Sequence, residues 1–264
     1  MIILKVGGGK DINWDHIARD IAGLKEQVII VHGANYLMKD TSARLGVRER
    51  IITSPSGHVS RHTDEKTMEI LLMTYCGLMN KKIVSILQKH GINAIGLTGA
   101  DGKLLLGVRK KAILSEIGGK VKVIRDSKTG NIKSVNTKLI SLLLENGFIP
   151  VVTIPAITEE GELINVDNDR IVAMLAKELK VETIVMLFEA AGLLSDKKDA
   201  SSKIDRIDKN EIEDIMKTTE GRMRKKLLGV KEAISYGVKS VYFGDGRIEK
   251  PLTSTLAGKG TLIN

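Results

Sequence analysis

Short β-branched and aliphatic runs alternate with helical periodicity along the whole chain, and this alternation is what most constrains the fold. Residues 2–6 read as a buried strand. Trp14, Ile17, Ala18, Ile21 and Ala22 then recur at helical spacing behind Asn13, a predicted N-cap. Strand patterns follow at 28–31, 93–97, 148–154, 183–188, 238–243 and 258–263. Helical patterns cover 34–45, 64–77, 80–90, 136–146, 169–179, 209–217 and 222–236. Residues 53–60 read as irregular. Residues 104–132 alternate short apolar runs with Gly118-Gly119 and Thr129-Gly130-Asn131, which predicts antiparallel hairpins projecting from the main sheet. Alternating β and α elements imply an α/β protein, a three-layer α/β/α sandwich with a largely parallel central sheet. With no long linker and no internal repeat, residues 1–264 read as a single domain whose two lobes, 1–160 and 161–264, share one sheet.

The single cysteine, Cys76, gives no internal disulfide and no argument for secretion. No signal pattern and no apolar stretch of membrane-spanning length is expected, which makes the cytoplasm the expected location. Charge is more informative. Of the net +9, a surplus of +8 lies between Lys103 and Lys138, where ten basic residues meet only Glu116 and Asp126. A focused positive patch attracts an acidic partner. Nucleic acid would be one, but no aromatic residue lies in this span, so base stacking has no support. A plain solvated basic surface explains the charge count equally well.

The first strand runs into Gly7-Gly8-Gly9-Lys10. The spacing of a P-loop fails here: Lys10 is followed by Asp11, not by the hydroxyl residue that magnesium requires. The dinucleotide G-x-G-x-x-G pattern fails as well. What remains is a glycine loop whose amides can approach an anion closely. Lys5 lies inside the strand between Leu4 and Val6. There a lysine is costly unless it is paired or faces a cleft, or unless the strand is an edge with one wet face. The second strand ends in His32-Gly33-Ala34-Asn35, again a small-residue turn into a helix, with free amides suited to an anion. His32 reads as structural.

Asn165, Asp167, Asn168 and Asp169 crowd a second strand–helix junction. Helix capping accounts for one such residue, not four, and the glycine and terminal glutamate of a calcium loop are missing. At Gly221-Arg222-Met223-Arg224-Lys225-Lys226 four cations occupy the first turns of a helix, where the macrodipole disfavours positive charge. Met223, Leu227, Val230 and Ile234 form its apolar stripe. Lys226 shares a face with Gly229 and Ala233, at the edge of the buried side, whereas Arg224 and Lys225 read as solvated. A basic surface helix is the simpler alternative.

Taken in order, these segments resemble the amino-acid kinase family, in its acetylglutamate-kinase-like branch. The resemblance rests on Lys5-Val6-Gly7-Gly8, His32-Gly33, Ser60-Arg61-His62-Thr63-Asp64, the segment from Gly96 to Gly102, Asn165-Val166-Asp167-Asn168-Asp169 and the helix start from Gly221 to Lys226. The stretches from Gly57 to Asp64 and from Tyr75 to Lys81 look like the LysW-aminoadipate kinases, which act on aminoadipate or glutamate attached to the acidic carrier protein LysW. The resemblance implies ATP-dependent phosphorylation of a side-chain carboxylate to an acyl phosphate. It further implies Mg²⁺ held mainly by the nucleotide phosphates, no metal-ligating side chains, and a homodimer formed through the N-terminal lobe. Lys5, Lys226 and Asp169 are then the catalytic residues. Ala34, Asn35, Arg61 and Asn165 hold the acceptor. Gly7, Gly8, Glu189, Gly192, Leu193, Leu194, Thr219 and Gly221 hold the nucleotide. Two departures stand out. Many relatives have glycine where this chain has Asn35, and Ser/Thr-Asp where it has Phe188-Glu189. Free acetylglutamate as acceptor and, from another class, a non-enzymatic nucleic-acid binder are the competing readings.

Overall fold

The structure, a computed structural model, describes residues 1–55, 59–117, 120–196, 199, 201–219 and 221–264, with Ile117 and Arg222 described by their backbones alone. The Gly57-His58 pair, the Gly118-Gly119 pair, Lys197, Lys198 and the Arg222 side chain lie outside the described residues.

The central sheet has eight strands: β1 (Ile2–Val6), β2 (Val28–His32), β3 (Ala94–Thr98), β4 (Ile149–Thr153), β5 (Thr183–Phe188), β6 (Arg206–Ile207), β7 (Ser240–Asp245) and β8 (Thr261–Ile263). Their order is β6-β8-β7-β5-β1-β2-β4-β3. All pairings are parallel except β7 with β8, where Val241 faces Ile263. The α/β expectation therefore holds, with an antiparallel turn-back at the C-terminal side. A separate four-stranded sheet holds Leu163–Ile164, Ala156–Ile157, Leu105–Arg109 and Gly130–Val135. A hairpin of Ile113–Ile117 and Lys120–Ile124 stands beyond it, as the apolar spacing predicts.

Side-chain alternation along the buried strands divides the core into two layers. Ile3, Ile29, Val31, Ile184 and Met186 face one layer; Ile2, Leu4, Val6, Ile30, Val185 and Leu187 face the other. Lys5 falls in register with Ile3 and so points into the first layer. There the helices Asn168–Leu179 and Gly221–Ser235 pack on each other. The chain leaves β1 on one side for β2 and returns on the other side as β5. Such a switch point opens a crevice at the carboxyl ends of parallel strands.

Three local differences from the sequence reading have physical causes. Residues 53–60 are not wholly irregular, because Ile51–Thr53 and Val59–Arg61 pair as an antiparallel hairpin. The two helices read at 64–77 and 80–90 are one continuous helix, Glu65–Lys89, whose middle, Leu72–Met79, is a π-helix. Its length and mean hydropathy of 1.4 make it long and apolar enough to cross a membrane, contrary to the expectation that no stretch reaches that length. Met68, Ile70, Leu71, Tyr75, Ile83 and Leu87 are nevertheless buried in the two core layers. Finally, Pro251–Ser254 and Thr255–Lys259 are helical, a segment without helical periodicity in the sequence.

Candidate active site

The glycine loop after β1 packs backbone against backbone on the start of the helix Asn35–Arg44. A Cβ on Gly8 would fall on the Ala34 amide nitrogen, and the Gly8 carbonyl accepts the Tyr36 N–H at 2.9 Å. Any side chain at Gly8 would force the two turns apart, so the glycine is required here by close approach. Lys10 is exposed, with its ammonium 5.8 Å from the centre of the Tyr36 ring.

Lys5 and Asp169 are 6% and 8% exposed, and Lys5 Nζ lies 2.9 Å from Asp169 Oδ1. The approach is off the hydrogen-bond angle, so it is held mainly by Coulomb attraction. Burial works most strongly against the charge of Lys5, but the Asp169 carboxylate, together with a hydrogen bond to Lys226 and the more distant Asp167, raises the lysine above its ordinary value. Burial likewise works against the Asp169 carboxylate, yet Lys5 first and then Lys226 hold it at about 2. Lys226 reaches this cluster because Gly229, one turn further on, lets its helix press against Asp169: a Cβ there would sit 2.9 Å from the Asp169 Cβ. Half-buried, with its ammonium 5.2 Å from the centre of the Phe188 ring, Lys226 is pushed down to about 7 by burial and by the Lys5 ammonium. Two cations thus converge on one carboxylate beside the glycine loop, where the Gly7 N–H is donated to the Leu187 carbonyl at 2.8 Å. An incoming anion supplies the missing negative charge.

Each residue of the polar junction has its own partner. Asp167 caps the helix by accepting the Asp169 N–H, Asp169 pairs with Lys5, Asn168 Nδ2 donates to the His32 carbonyl at 3.4 Å, and Asn165 Nδ2 donates to Thr63 Oγ1 at 2.9 Å. His32 is fully buried and accepts from Asn80 Nδ2 at 3.1 Å; burial pushes it down to about 4, so it stays neutral and structural.

The acceptor candidates lie together around the hairpin Ile51–Thr53/Val59–Arg61. Arg61 Nη2 is 2.7 Å from Glu49 Oε1, and Nη1 donates to Met38 Sδ at 2.8 Å. Asn35 accepts from Tyr75 Oη at 2.9 Å. Asn165 joins Arg61 through Thr63, whose hydroxyl donates to the Arg61 carbonyl at 3.3 Å.

The nucleotide candidates are more dispersed. Glu189 folds back to the glycine loop, accepting the Asp11 N–H at 2.9 Å. Gly192 and Leu193 are buried against Thr261, and the Leu193 carbonyl accepts from Ile204. Thr219 donates its hydroxyl to Ile215, and Gly221 starts the helix that carries Lys226. Next to Leu193 and Thr219, but lined by none of these candidates, opens a 330 Å³ cleft whose walls are Ile204, Arg206, Ile207, Glu211, Asp214, Ile215 and Thr218. Lys225, read as solvated, is half-buried and donates to the Val59 carbonyl, which ties the helix start to the acceptor hairpin.

The model of the amino acid kinase family matches residues 1–245. A [LysW]-aminoadipate kinase of Thermus thermophilus is 45% identical over 268 residues, with all of both chains covered. The chain belongs to the amino acid kinase family. A second [LysW]-aminoadipate kinase, from Deinococcus radiodurans, is 44% identical over all of this chain and 91% of its own. A [LysW]-aminoadipate/[LysW]-glutamate kinase of Saccharolobus islandicus is 36% identical over 100% and 99%. Among solved structures, an N-acetylglutamate synthase from Neisseria gonorrhoeae shares the fold at TM-score 0.80 and 19% identity, over 99% of this chain and 58% of its own. An isopentenyl phosphate kinase does so at TM-score 0.65 and 17% identity, over the whole of both chains.

As an amino acid kinase the chain is a phosphotransferase that uses ATP. Sequence reasoning missed Tyr75, Glu49 and Thr63. Glu49 sits in the charged run Arg48-Glu49-Arg50 and gives no signal. Thr63 and Tyr75 lie within the quoted segments, but which way they point depends on a hairpin and a π-turn that periodicity does not reveal.

Proposed function

We propose that this amino acid kinase phosphorylates the side-chain carboxylate of aminoadipate, or of glutamate, carried on the acidic protein LysW. The product is an acyl phosphate for lysine biosynthesis and, with glutamate, for arginine biosynthesis. The observation that carries this reading is the full-length likeness, at 45% identity, to a relative so named. The acceptor carboxylate oxygen attacks the γ-phosphorus of ATP, the bond to the β,γ-bridging oxygen breaks, and ADP leaves. The nucleophile is already ionised, so no general base is needed, and catalysis rests on positioning and charge stabilisation. Lys5 and Lys226 neutralise the equatorial oxygens, Asp169 orients both, and the Gly8 amide binds the γ-phosphate, with Gly7, whose own N–H is donated to the Leu187 carbonyl, setting the turn. Ala34, Asn35, Arg61 and Asn165 hold the acceptor. Glu189, Gly192, Leu193, Leu194, Thr219 and Gly221 frame the nucleotide, with the apolar side of the 330 Å³ cleft taking the base. Among the described residues no group of three or more His, Cys, Asp or Glu side chains is placed to hold a metal. Magnesium, on this reading, is held mainly by the nucleotide phosphates. The cytoplasm as location and a homodimer through the 1–160 lobe complete the proposal; Met73 and Leu78 are exposed apolar residues on its long helix.

Local geometry favours carrier docking over a featureless basic surface. Lys103, Arg109 and Lys128 are internally paired with Glu159, Glu162 and Glu65, whereas Lys110, Lys111, Lys120, Lys122 and Arg125 stay exposed. The strand Ile113–Ile117 of their hairpin packs on Ile51–Thr53, the partner of the strand that carries Arg61. A nucleic-acid binder leaves the Lys5–Asp169–Lys226 cluster without a use. The test reverses charge at Lys120 and Lys122. Lys120→Glu/Lys122→Glu is expected to raise KM for the carrier-linked acceptor by about 10–100-fold and to flatten its salt dependence, with KM for ATP unchanged. An unchanged carrier KM would remove the hairpin from the docking site.

A further inference from the structure

Tyr75 is not among the residues read as functional, yet its hydroxyl bonds one of the four acceptor candidates, Asn35. It sits in the middle of the π-helical segment Leu72–Met79 and is 2% exposed. A buried phenol needs a hydrogen-bond partner, and this one donates to Asn35 Oδ1 at 2.9 Å. Burial raises the Tyr75 hydroxyl above its ordinary value. The nearby Arg61 charge and the Ala34 amide oppose that rise. The bond from Tyr75 sets the orientation of the Asn35 amide: the carbonyl faces Tyr75, so Nδ2 and its two N–H groups lie on the other side of an exposed residue.

Arg61 is also a donor. Its Nη1 rests on a thioether, a weak acceptor that a carboxylate would replace favourably, while Glu49 holds its Nη2. The π-turn matters because it sets the rotation of the helix at Tyr75 and carries the ring toward the start of the Asn35–Arg44 helix; π-turns recur at functional sites. We infer that Tyr75 is a specificity-determining positioning residue: it holds the Asn35 amide with its N–H groups outward, beside the Arg61 guanidinium, so that the acceptor site takes a carboxylate and rejects a neutral carboxamide in its place. This inference rests on the acceptor-site reading above and goes further, by assigning the orientation of Asn35 and the residue that sets it.

The experiment is a double-mutant cycle with steady-state kinetics on Tyr75→Phe, Asn35→Ala and the pair. The acceptors are the carrier-linked amino acid and its α-carboxamide analogue. Tyr75→Phe keeps the ring and removes only the hydroxyl. It is expected to raise KM for the carboxylate acceptor about tenfold, with kcat changed less than about threefold and KM for ATP unchanged. The preference for carboxylate over carboxamide should shrink by a similar factor. Asn35→Ala should do the same, and the double variant should be no worse than either single one. Wild-type KM and selectivity in Tyr75→Phe, or additive losses in the pair, would overturn the role of Tyr75. If Asn35→Ala itself leaves acceptor KM unchanged, the acceptor-site reading fails instead.

Discussion

Lys5→Ala is expected to lower kcat by about 10³-fold while the protein stays folded, and Lys226→Ala to do nearly the same. On the proposed assignment both ammonium groups neutralise the developing phosphoryl charge, and both converge on the buried Asp169 carboxylate. Lys10 is exposed over Tyr36 and should tolerate alanine. The two lysines differ in their pH behaviour. Lys226 is held at about 7 in the free enzyme, so it carries its charge below that value and loses it above. Because the cation is needed with ATP, kcat/KM for ATP should fall as pH rises through 7 and beyond, about tenfold per unit. Lys226→Arg, charged throughout, should remove that descending limb, and a pH–rate profile checks it. Lys5 is raised and gives no limb in this range. Equal turnover in wild type and both alanine variants would end the catalytic assignment.

Asp169→Asn is the second large effect, and it couples stability to catalysis. Removing the carboxylate leaves a buried lysine without its counter-charge, a loss of about 3–5 kcal/mol in comparable buried pairs. Here Lys226 can release its proton, so the loss should lie at the low end above pH 8 and grow as pH falls below 7, where both cations persist. Thermal denaturation should show a drop of roughly 5–10 °C at neutral pH, measured against wild type at each pH. The carboxylate itself is depressed to about 2, so its stabilisation in the wild type is fully present above its unfolded value of 3.8 and is lost as pH falls toward 2. Turnover should fall by about 10²-fold or more, because the lysines lose the group that aims them. A variant as stable as wild type at pH 6 would contradict the cluster.

Much of this site was legible in the sequence because its residues violate local rules. Lys5 interrupts a buried strand, four polar residues crowd one helix start, and cations sit at the wrong end of a helix dipole. Each violation marks a place where a partner is required, and the fold brings three of them together at Asp169. The less legible parts obey local rules and acquire meaning only in three dimensions. Gly77 reads as a helix stop, but a π-turn carries the helix past it and aims Tyr75 at Asn35. Arg61 is recognisable as an anion binder, but its engagement by Glu49 across a hairpin is not. Lys225 has the periodicity of a solvated residue until Val59 arrives from a segment distant in the chain. The antiparallel entry of β8 follows from a turn at Thr255–Lys259 that has no pattern in the apolar spacing.

The central claim is that a carrier-borne carboxylate is the phosphoryl acceptor. It is tested most directly by ATP turnover with the aminoadipate- or glutamate-bearing carrier and with free acetylglutamate, trapping the product with hydroxylamine to report the acyl phosphate. The account predicts hydroxamate formation on the carrier-linked amino acid, with kcat/KM far above that for the free acetylated acid. Efficient turnover of free acetylglutamate with no hydroxamate on the carrier would contradict it.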